Sequence, residues 1–195
     1  MYSLNRRQFL LAIGAGAAAV PALKAAQVPR PAPELALTMV NGQQLLLSKY
    51  KGKVIALEFL LTTCPHCQNA SVIMEKLYKE YGAKGFQPIG AAFNDMAALL
   101  LPDYIARVGA TYPIAVAVRD HVTTYIQHPP DQILYVPQLV FIDRNFVIRG
   151  QYGGLDTDFF NDEEKNMRNM VESLLKERPK TAAPARKTAA KKAGK

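Results

Sequence analysis

Along the middle of the chain the apolar positions switch between two periods. "ELALTMVNGQQLLLSKY" places two short apolar runs either side of Asn41 and Gly42, the dipeptide best suited to a tight turn, so it predicts an N-terminal hairpin. "KVIALEFLL" is nearly all apolar, as a strand buried on both faces should be. Val72, Ile73, Leu77 and Tyr81 then share one side of a helix, with Glu75, Lys76, Lys79 and Glu80 largely opposite, until Gly82 and Gly85 end it. "FQPIGAAF" predicts a strand, "DMAALLLPDYIARVG" a helix interrupted near Pro102, and "YPIAVAV" another strand. "RDHVTTYIQH" predicts a short helix closed by Pro129 and Pro130, followed by strands "QLVFID" and "FVIRGQY" joined through Arg144 and Asn145. A last helix runs from about Asp162 to Lys176. Strands alternating with helices and closing in a hairpin indicate an α/β fold, a three-layer domain around a mixed sheet.

The two ends read differently. "MYSLNRRQFLLAIGAGAAAVPALKAA" pairs Arg6 and Arg7 with an uncharged run from Gln8 to Leu23 and small residues after it, which is the pattern of an export signal. Adjacent arginines ahead of a weakly apolar, Gly- and Ala-diluted run resemble a twin-arginine signal, with cleavage after Ala22, Ala25 or Ala26. The run is shorter than the roughly 20 apolar residues a membrane span needs. The expected location is therefore the bacterial periplasm or the outer face of the inner membrane. Residues 179–195 are Ala, Lys and Pro without apolar periodicity and are expected to be a disordered tail.

Those ends also account for the formal net charge of +8. They carry nine of the 24 Lys and Arg residues and no acids, so residues 27–178 hold 15 basic against 16 acidic residues. That balance gives no reason to expect specific nucleic-acid binding. The tail is at most a weak, non-specific contact for an anionic surface. The remaining stretch is one domain, 27–178, large enough for a hydrophobic core without structural disulfides.

The only two cysteines lie in "LLTTCPHCQN". Cys64 falls just after a buried strand and at the start of a helix, where unpaired N–H groups and the positive helix end favour a thiolate. Pro65 suits the first helical turn because its missing N–H would have no partner there. Cys67 is one turn further on, close enough to form a disulfide, with Cys64 the attacking sulfur and Cys67 the resolving one. The lowest thiol pKa values in Cys-x-x-Cys pairs require about 7 kcal/mol, of which a helix end supplies about 2. His66 is the expected further contributor, as a hydrogen-bond donor to the thiolate and, when protonated, as a charge. A stabilised thiolate makes the disulfide more oxidising.

Glu58 is the only charge in "VIALEFLL". A lone buried carboxylate tends to keep its proton, and such a group can take the proton of Cys67 as that thiol attacks; the alternative is pairing with Lys53 or reaching solvent. Val136 and Pro137 precede the strand "QLVFID", where a proline is acceptable at the opening position only.

Taken together, "GKVIALEFLLTTCPHC", "YVPQLVFIDRNFVIRGQYGG" and the element order resemble the thioredoxin-like oxidoreductases. The likeness is strongest to the exported TlpA and ResA type, related to the AhpC/TSA superfamily, over about residues 33–177. The resemblance implies a thiol-disulfide oxidoreductase with Cys64 and Cys67 as redox pair, Glu58 as the buried acid and Pro137 as a cis-proline. Val136 would offer backbone hydrogen bonds to a bound peptide. It implies protein thiols and disulfides as substrates, an upstream membrane or periplasmic redox partner, and no cofactor beyond the redox-active disulfide. The segment between "AAFND" and Val136 is similar to the β/α unit inserted in TlpA-type proteins. Thr63 stands where the family usually has tryptophan, and the Pro-His dipeptide is more familiar from DsbA-type oxidants, so scaffold and dipeptide point to opposite directions of electron flow.

Two other activities use the same residues. A thiol peroxidase of the AhpC/TSA kind would want Thr or Ser three residues before its cysteine, where this chain has Leu61. A copper-delivery protein would use Cys64, Cys67 and His66 with a distant histidine, for which His121 and His128 are the candidates.

Overall fold

The computed structural model describes residues 27–178. The expected export signal over 1–26 and the basic tail over 179–195 lie outside the described residues. The strands are β1 (Arg30–Pro31), β2 (Ala36–Thr38), β3 (Gln44–Leu46), β4 (Val54–Leu60), β5 (Phe86–Ala92), β6 (Ile114–Val116), β7 (Gln138–Ile142) and β8 (Val147–Tyr152). The helices are α1 (Pro65–Tyr81), α2 (Ala97–Val108), α3 (Arg119–Tyr125), α4 (Thr157–Phe160) and α5 (Glu163–Lys176). All eight strands join one mixed sheet in the order β1-β8-β7-β4-β5-β6-β2-β3.

The sheet is built around its two longest apolar runs. Every residue of β4 and of β5 is buried, and the two pair in parallel along their whole length. β7 runs antiparallel on the other side of β4. Alternation along β4 divides the core. Val54, Ala56 and Leu60 face α1, α2 and α5, whereas Ile55, Leu57 and Phe59 face α3 and the leucines of the N-terminal hairpin. The three layers expected from the sequence are thus present.

The Asn41–Gly42 turn forms as expected. Gly42 adopts φ +80, and Met39 and Gln43 close the turn by a 2.8 Å backbone bond. The hairpin joins the far edge of the sheet through β2 and β6. The insertion after β5 contributes α2, β6 and α3. One expectation fails here: α2 is not interrupted at Pro102, which lies inside a continuous helix. Pro102 and Ala98, the residue whose carbonyl loses its helical donor, are both exposed, so water can serve that carbonyl. Meanwhile Ala97, Leu101, Tyr104 and Val108 hold one apolar face against the core. Neither the two-residue β1 nor the short α4 was legible as an element. Among the described residues no helix is long and apolar enough to cross a membrane.

Candidate active site

The Cys-x-x-Cys segment is fixed from below by its strand and from the side by the loop after β5. β4 ends at Leu60, and the Cys64 N–H bonds back to the Leu61 carbonyl at 3.0 Å. Thr62 is clamped by Asn94: its N–H donates to Oδ1 at 2.9 Å and its hydroxyl accepts from Nδ2 at 3.0 Å. The chain then turns into α1 with Cys64 as the capping residue, in extended backbone, and Pro65 at the first helical position. The Cys64 Sγ accepts the Cys67 N–H at 3.4 Å, so the sulfur does the work usually left to a Ser or Asp oxygen at a helix start. A 17-residue helix points its N-terminus at that sulfur.

The two thiols, unbonded in this structure, occupy different surroundings. Cys64 is half-buried and Cys67 fully buried. Burial pushes the Cys67 thiol well up, and the neighbouring Glu58 charge pushes the same way. Beside the pair, Thr63, Pro65 and His66 are exposed. His66 makes no bond to the Cys64 sulfur, whose donor is the Cys67 N–H. Its charge acts instead on Glu163 of α5, lowering a carboxyl that burial raises. Glu163 is held by a 2.7 Å bond from Asn69 Nδ2, so α5 contributes an acid beside the first turn of α1.

Glu58 lies on the β4 face that packs against α1 and α5, with no exposed surface. It does not pair with Lys53, which reaches Gln87 Oε1 at 3.1 Å. Its Oε2 is 2.7 Å from the Ser71 hydroxyl, which is 2.8 Å from the Tyr104 hydroxyl, which in turn is 3.1 Å from the Cys67 carbonyl. Oε1 has no hydrogen-bond partner among the described residues. Burial raises the Glu58 pKa from 4.5 to about 8; the Ser71 bond acts against this and the Glu163 charge adds to it. At pH 7 about nine-tenths of such a group is protonated. Ser71 and Tyr104 were not singled out in the sequence. Ser71 follows Cys67 by one turn on the same helix, and that i, i+4 spacing is the signal that could have found it.

Register brings the second segment to the same end of the sheet. Gln138, the first residue of β7, pairs with Phe59 of β4, so Val136 and Pro137 lie beyond the end of β4 from which Cys64 continues. The Val136–Pro137 peptide is cis. Val136 packs against both core clusters, as Cys64 packs against the first. Gly154 backs onto Val136 so closely that a Cβ there would sit 2.6 Å from the Val136 carbonyl oxygen. His121 is an exposed residue of α3, and His128 bonds to the Gln132 carbonyl at 3.1 Å. Among the described residues no group of three or more His, Cys, Asp or Glu is placed to hold a metal ion.

The thiol-disulfide oxidoreductase ResA of Geobacillus kaustophilus is 29% identical over 114 residues, 58% of this chain and 62% of that protein. ResA of Halalkalibacterium halodurans is 32% identical over 77 residues, 40% of this chain and 43% of that protein. The chain thus spans less than two thirds of the length of these relatives. Among solved structures, a thiol:disulfide interchange protein of the thioredoxin family from Chlorobium tepidum superposes with a TM-score of 0.64 at 23% identity, over 76% of this chain and 98% of that one. A secreted Mycobacterium tuberculosis disulfide oxidoreductase superposes with a TM-score of 0.57 at 12% identity, over 72% of this chain and 96% of that one. The fold is therefore thioredoxin-like. The Redoxin family matches residues 20–171, more than half of the chain, and the protein belongs to that family.

Proposed function

We propose that this protein is an exported thiol-disulfide oxidoreductase that exchanges disulfides with protein substrates through Cys64 and Cys67. The observation that carries the reading is the asymmetry of the pair: a half-buried sulfur at the helix start and a buried one that feels the charge of a buried acid. In the reducing direction the Cys64 thiolate attacks a substrate disulfide, forming a mixed disulfide and releasing one substrate thiolate. Cys67 gives its proton to the ionised form of Glu58, about a tenth of the population at pH 7, and attacks the Cys64 sulfur, releasing the second substrate thiolate and leaving the Cys64–Cys67 disulfide. Two electrons pass to the substrate. The oxidising direction runs the same steps backwards.

Within this reading Val136 offers its backbone to the substrate peptide beside Pro137, Pro65 shapes the first turn of α1, and His66 tunes the pair from the exposed side. The reduction potential then sets the direction, with the Pro-His dipeptide favouring oxidation and the ResA-like scaffold favouring reduction. Residues 1–26 are proposed as a twin-arginine export signal, 27–178 as the catalytic domain and 179–195 as a basic tail for weak contact with anionic surfaces. Export places the work in the periplasm, and a reductant there requires an upstream redox partner. No cofactor enters the scheme, because the two sulfurs carry the electrons.

The test is trapping. Cys67→Ser should accumulate a mixed disulfide between Cys64 and a protein disulfide substrate, resolved on non-reducing gels and located by mass spectrometry, whereas Cys64→Ser should form none. Equal trapping by both variants, or by neither, would remove the assignment of attacking and resolving sulfurs.

A further inference from the structure

The chain Glu58–Ser71–Tyr104–Cys67 carbonyl contains more information than its distances. Its four oxygens make three contacts, of 2.7, 2.8 and 3.1 Å, each of which needs one proton between its oxygens to be a hydrogen bond. Ser71 and Tyr104 bring one proton each, and the Cys67 carbonyl brings none. The third can come only from the Glu58 carboxyl. With Glu58 protonated, the acid donates to Ser71, Ser71 to Tyr104 and Tyr104 to the Cys67 carbonyl, and every contact is filled. With Glu58 ionised, Ser71 must turn to donate to the carboxylate. Tyr104 then has one proton for two acceptors, Ser71 and the Cys67 carbonyl.

We propose that Ser71 and Tyr104 are positioning residues for the resolving step: they hold Glu58 in a hydrogen-bond chain that closes only when the acid carries its proton. The Tyr104 hydroxyl thereby registers the protonation of Glu58 at the backbone of Cys67. The proposal rests on Glu58 as the group that exchanges a proton with Cys67. When an incoming thiolate attacks Cys64 in the Cys64–Cys67 disulfide, a new bond forms to the Cys64 sulfur and the Cys64–Cys67 bond breaks. Cys67 departs as a thiolate and takes the Glu58 proton. Ser71 then turns to the carboxylate, and the Tyr104 proton is shared out between Ser71 and the carbonyl of the residue that has just been reduced. In the opposite direction the Cys67 proton returns to Glu58 and the chain closes again.

The surroundings fit this role. The groups that act on Glu58 or are acted on by it are Cys67 and Ser71 of α1, Tyr104 of α2, Tyr112 ahead of β6 and Glu163 of α5, and none of them is cationic. Neutralisation of the acid therefore depends on its proton. Tyr104, 1% exposed, also lines a cleft of about 290 Å³ with Thr62, Gln68, Asp103 and Arg107. Tyr104 comes from the inserted segment, which gives that insertion a part in the chemistry of the pair.

The experiment is infrared titration of the reduced full-length protein, following the C=O band of the neutral Glu58 carboxyl, identified by its loss in Glu58→Gln. The wild-type midpoint is expected near pH 8. Tyr104→Phe removes two contacts from the neutral form and one from the ionised form, so the midpoint should fall by roughly half to one unit, the worth of one net hydrogen bond. The pH profile of the resolution rate should move with it. A midpoint that stays or rises in Tyr104→Phe overturns the proposal. The wild type alone gives a second test: with isotopically labelled tyrosine, a phenol C–O band must titrate at the Glu58 midpoint, and a set of phenol bands unmoved through that titration also overturns it. If Glu58→Gln leaves the resolution rate and its pH dependence unchanged, the role of Glu58 itself is lost. A Glu58→Gln defect beside an unmoved Tyr104→Phe midpoint overturns only the relay.

Discussion

Replacing Glu58 with Gln should make the protein more stable, and increasingly so as pH rises. The carboxyl has no exposed surface and no cationic partner, and burial raises its pKa from 4.5 to about 8. An unfolded chain releases this proton near its ordinary value, about 4.3. Between that point and about pH 8 the folded protein holds a proton the unfolded chain has lost, so the unfolded form gains ground with every rise in pH. The cost levels off once the folded acid has ionised too. Over the whole window the linkage amounts to about 5 kcal/mol, a large part of the 5 to 15 kcal/mol typical of a domain. The glutamine amide introduced by Glu58→Gln does not titrate and can donate to Ser71 as the neutral acid does. Urea unfolding of both proteins in the dithiol state, from pH 5 to pH 9, measures the difference directly. The gap in unfolding free energy should widen by about 4 kcal/mol in favour of Glu58→Gln across that range. Parallel curves would mean that Glu58 ionises alike in the folded and unfolded chains, contrary to its burial.

Two further perturbations follow from close contacts. A Cβ on Gly154 would lie 2.6 Å from the Val136 carbonyl oxygen and 2.9 Å from its carbon, both backbone atoms; Gly154→Ala should therefore displace Val136 and raise KM for a protein disulfide about tenfold, roughly 1.4 kcal/mol. A Cβ on Gly153 meets Gln138 Nε2 at 2.6 Å, a side-chain atom that donates to the Tyr135 carbonyl and not the backbone of Val136, so Gly153→Ala should break that bond and change KM less than Gly154→Ala. Asp143, 4% exposed, accepts from the N–H groups of Asn145 and Val147 at 2.9 and 3.0 Å and pairs with Arg149 at 3.0 Å. Asp143→Ala removes the acceptor of the Val147 N–H and the buried partner of Arg149 at the β7–β8 turn and should cost about 1 to 3 kcal/mol in a denaturant titration.

The parts of the molecule set by local pattern could be read from the sequence. The β4 run, the Asn41–Gly42 turn, the alternation into α1 and the Cys64 position at its start depend on residues close together in the chain. The isolation of Glu58 in an apolar run was legible for the same reason. Its partners were not, because Tyr104 reaches it from another helix and Ser71 reads as an ordinary polar residue on α1. One local signal did bear on Lys53. It is an odd number of residues from Glu58, so an extended chain turns the two side chains to opposite faces. Pro102 misled in the opposite sense. Its local cost is real, but the apolar face of α2 and an exposed, solvated carbonyl outweigh it. β1 and α4 are too short to carry a period, and only their tertiary contacts define them.

In the proposed mechanism Cys64 and Cys67 interconvert between dithiol and disulfide and carry the protein's activity as a two-electron couple. Equilibrating the full-length protein in graded glutathione buffers, alkylating the remaining thiols and counting them by mass tests it most directly. Both thiols should disappear together in one two-electron transition. A midpoint of about −120 to −180 mV would mark a disulfide donor, and one near −270 mV or below a reductant supplied from upstream. Loss of one thiol without the other, or stable glutathione adducts in place of an intramolecular Cys64–Cys67 bond, would contradict it.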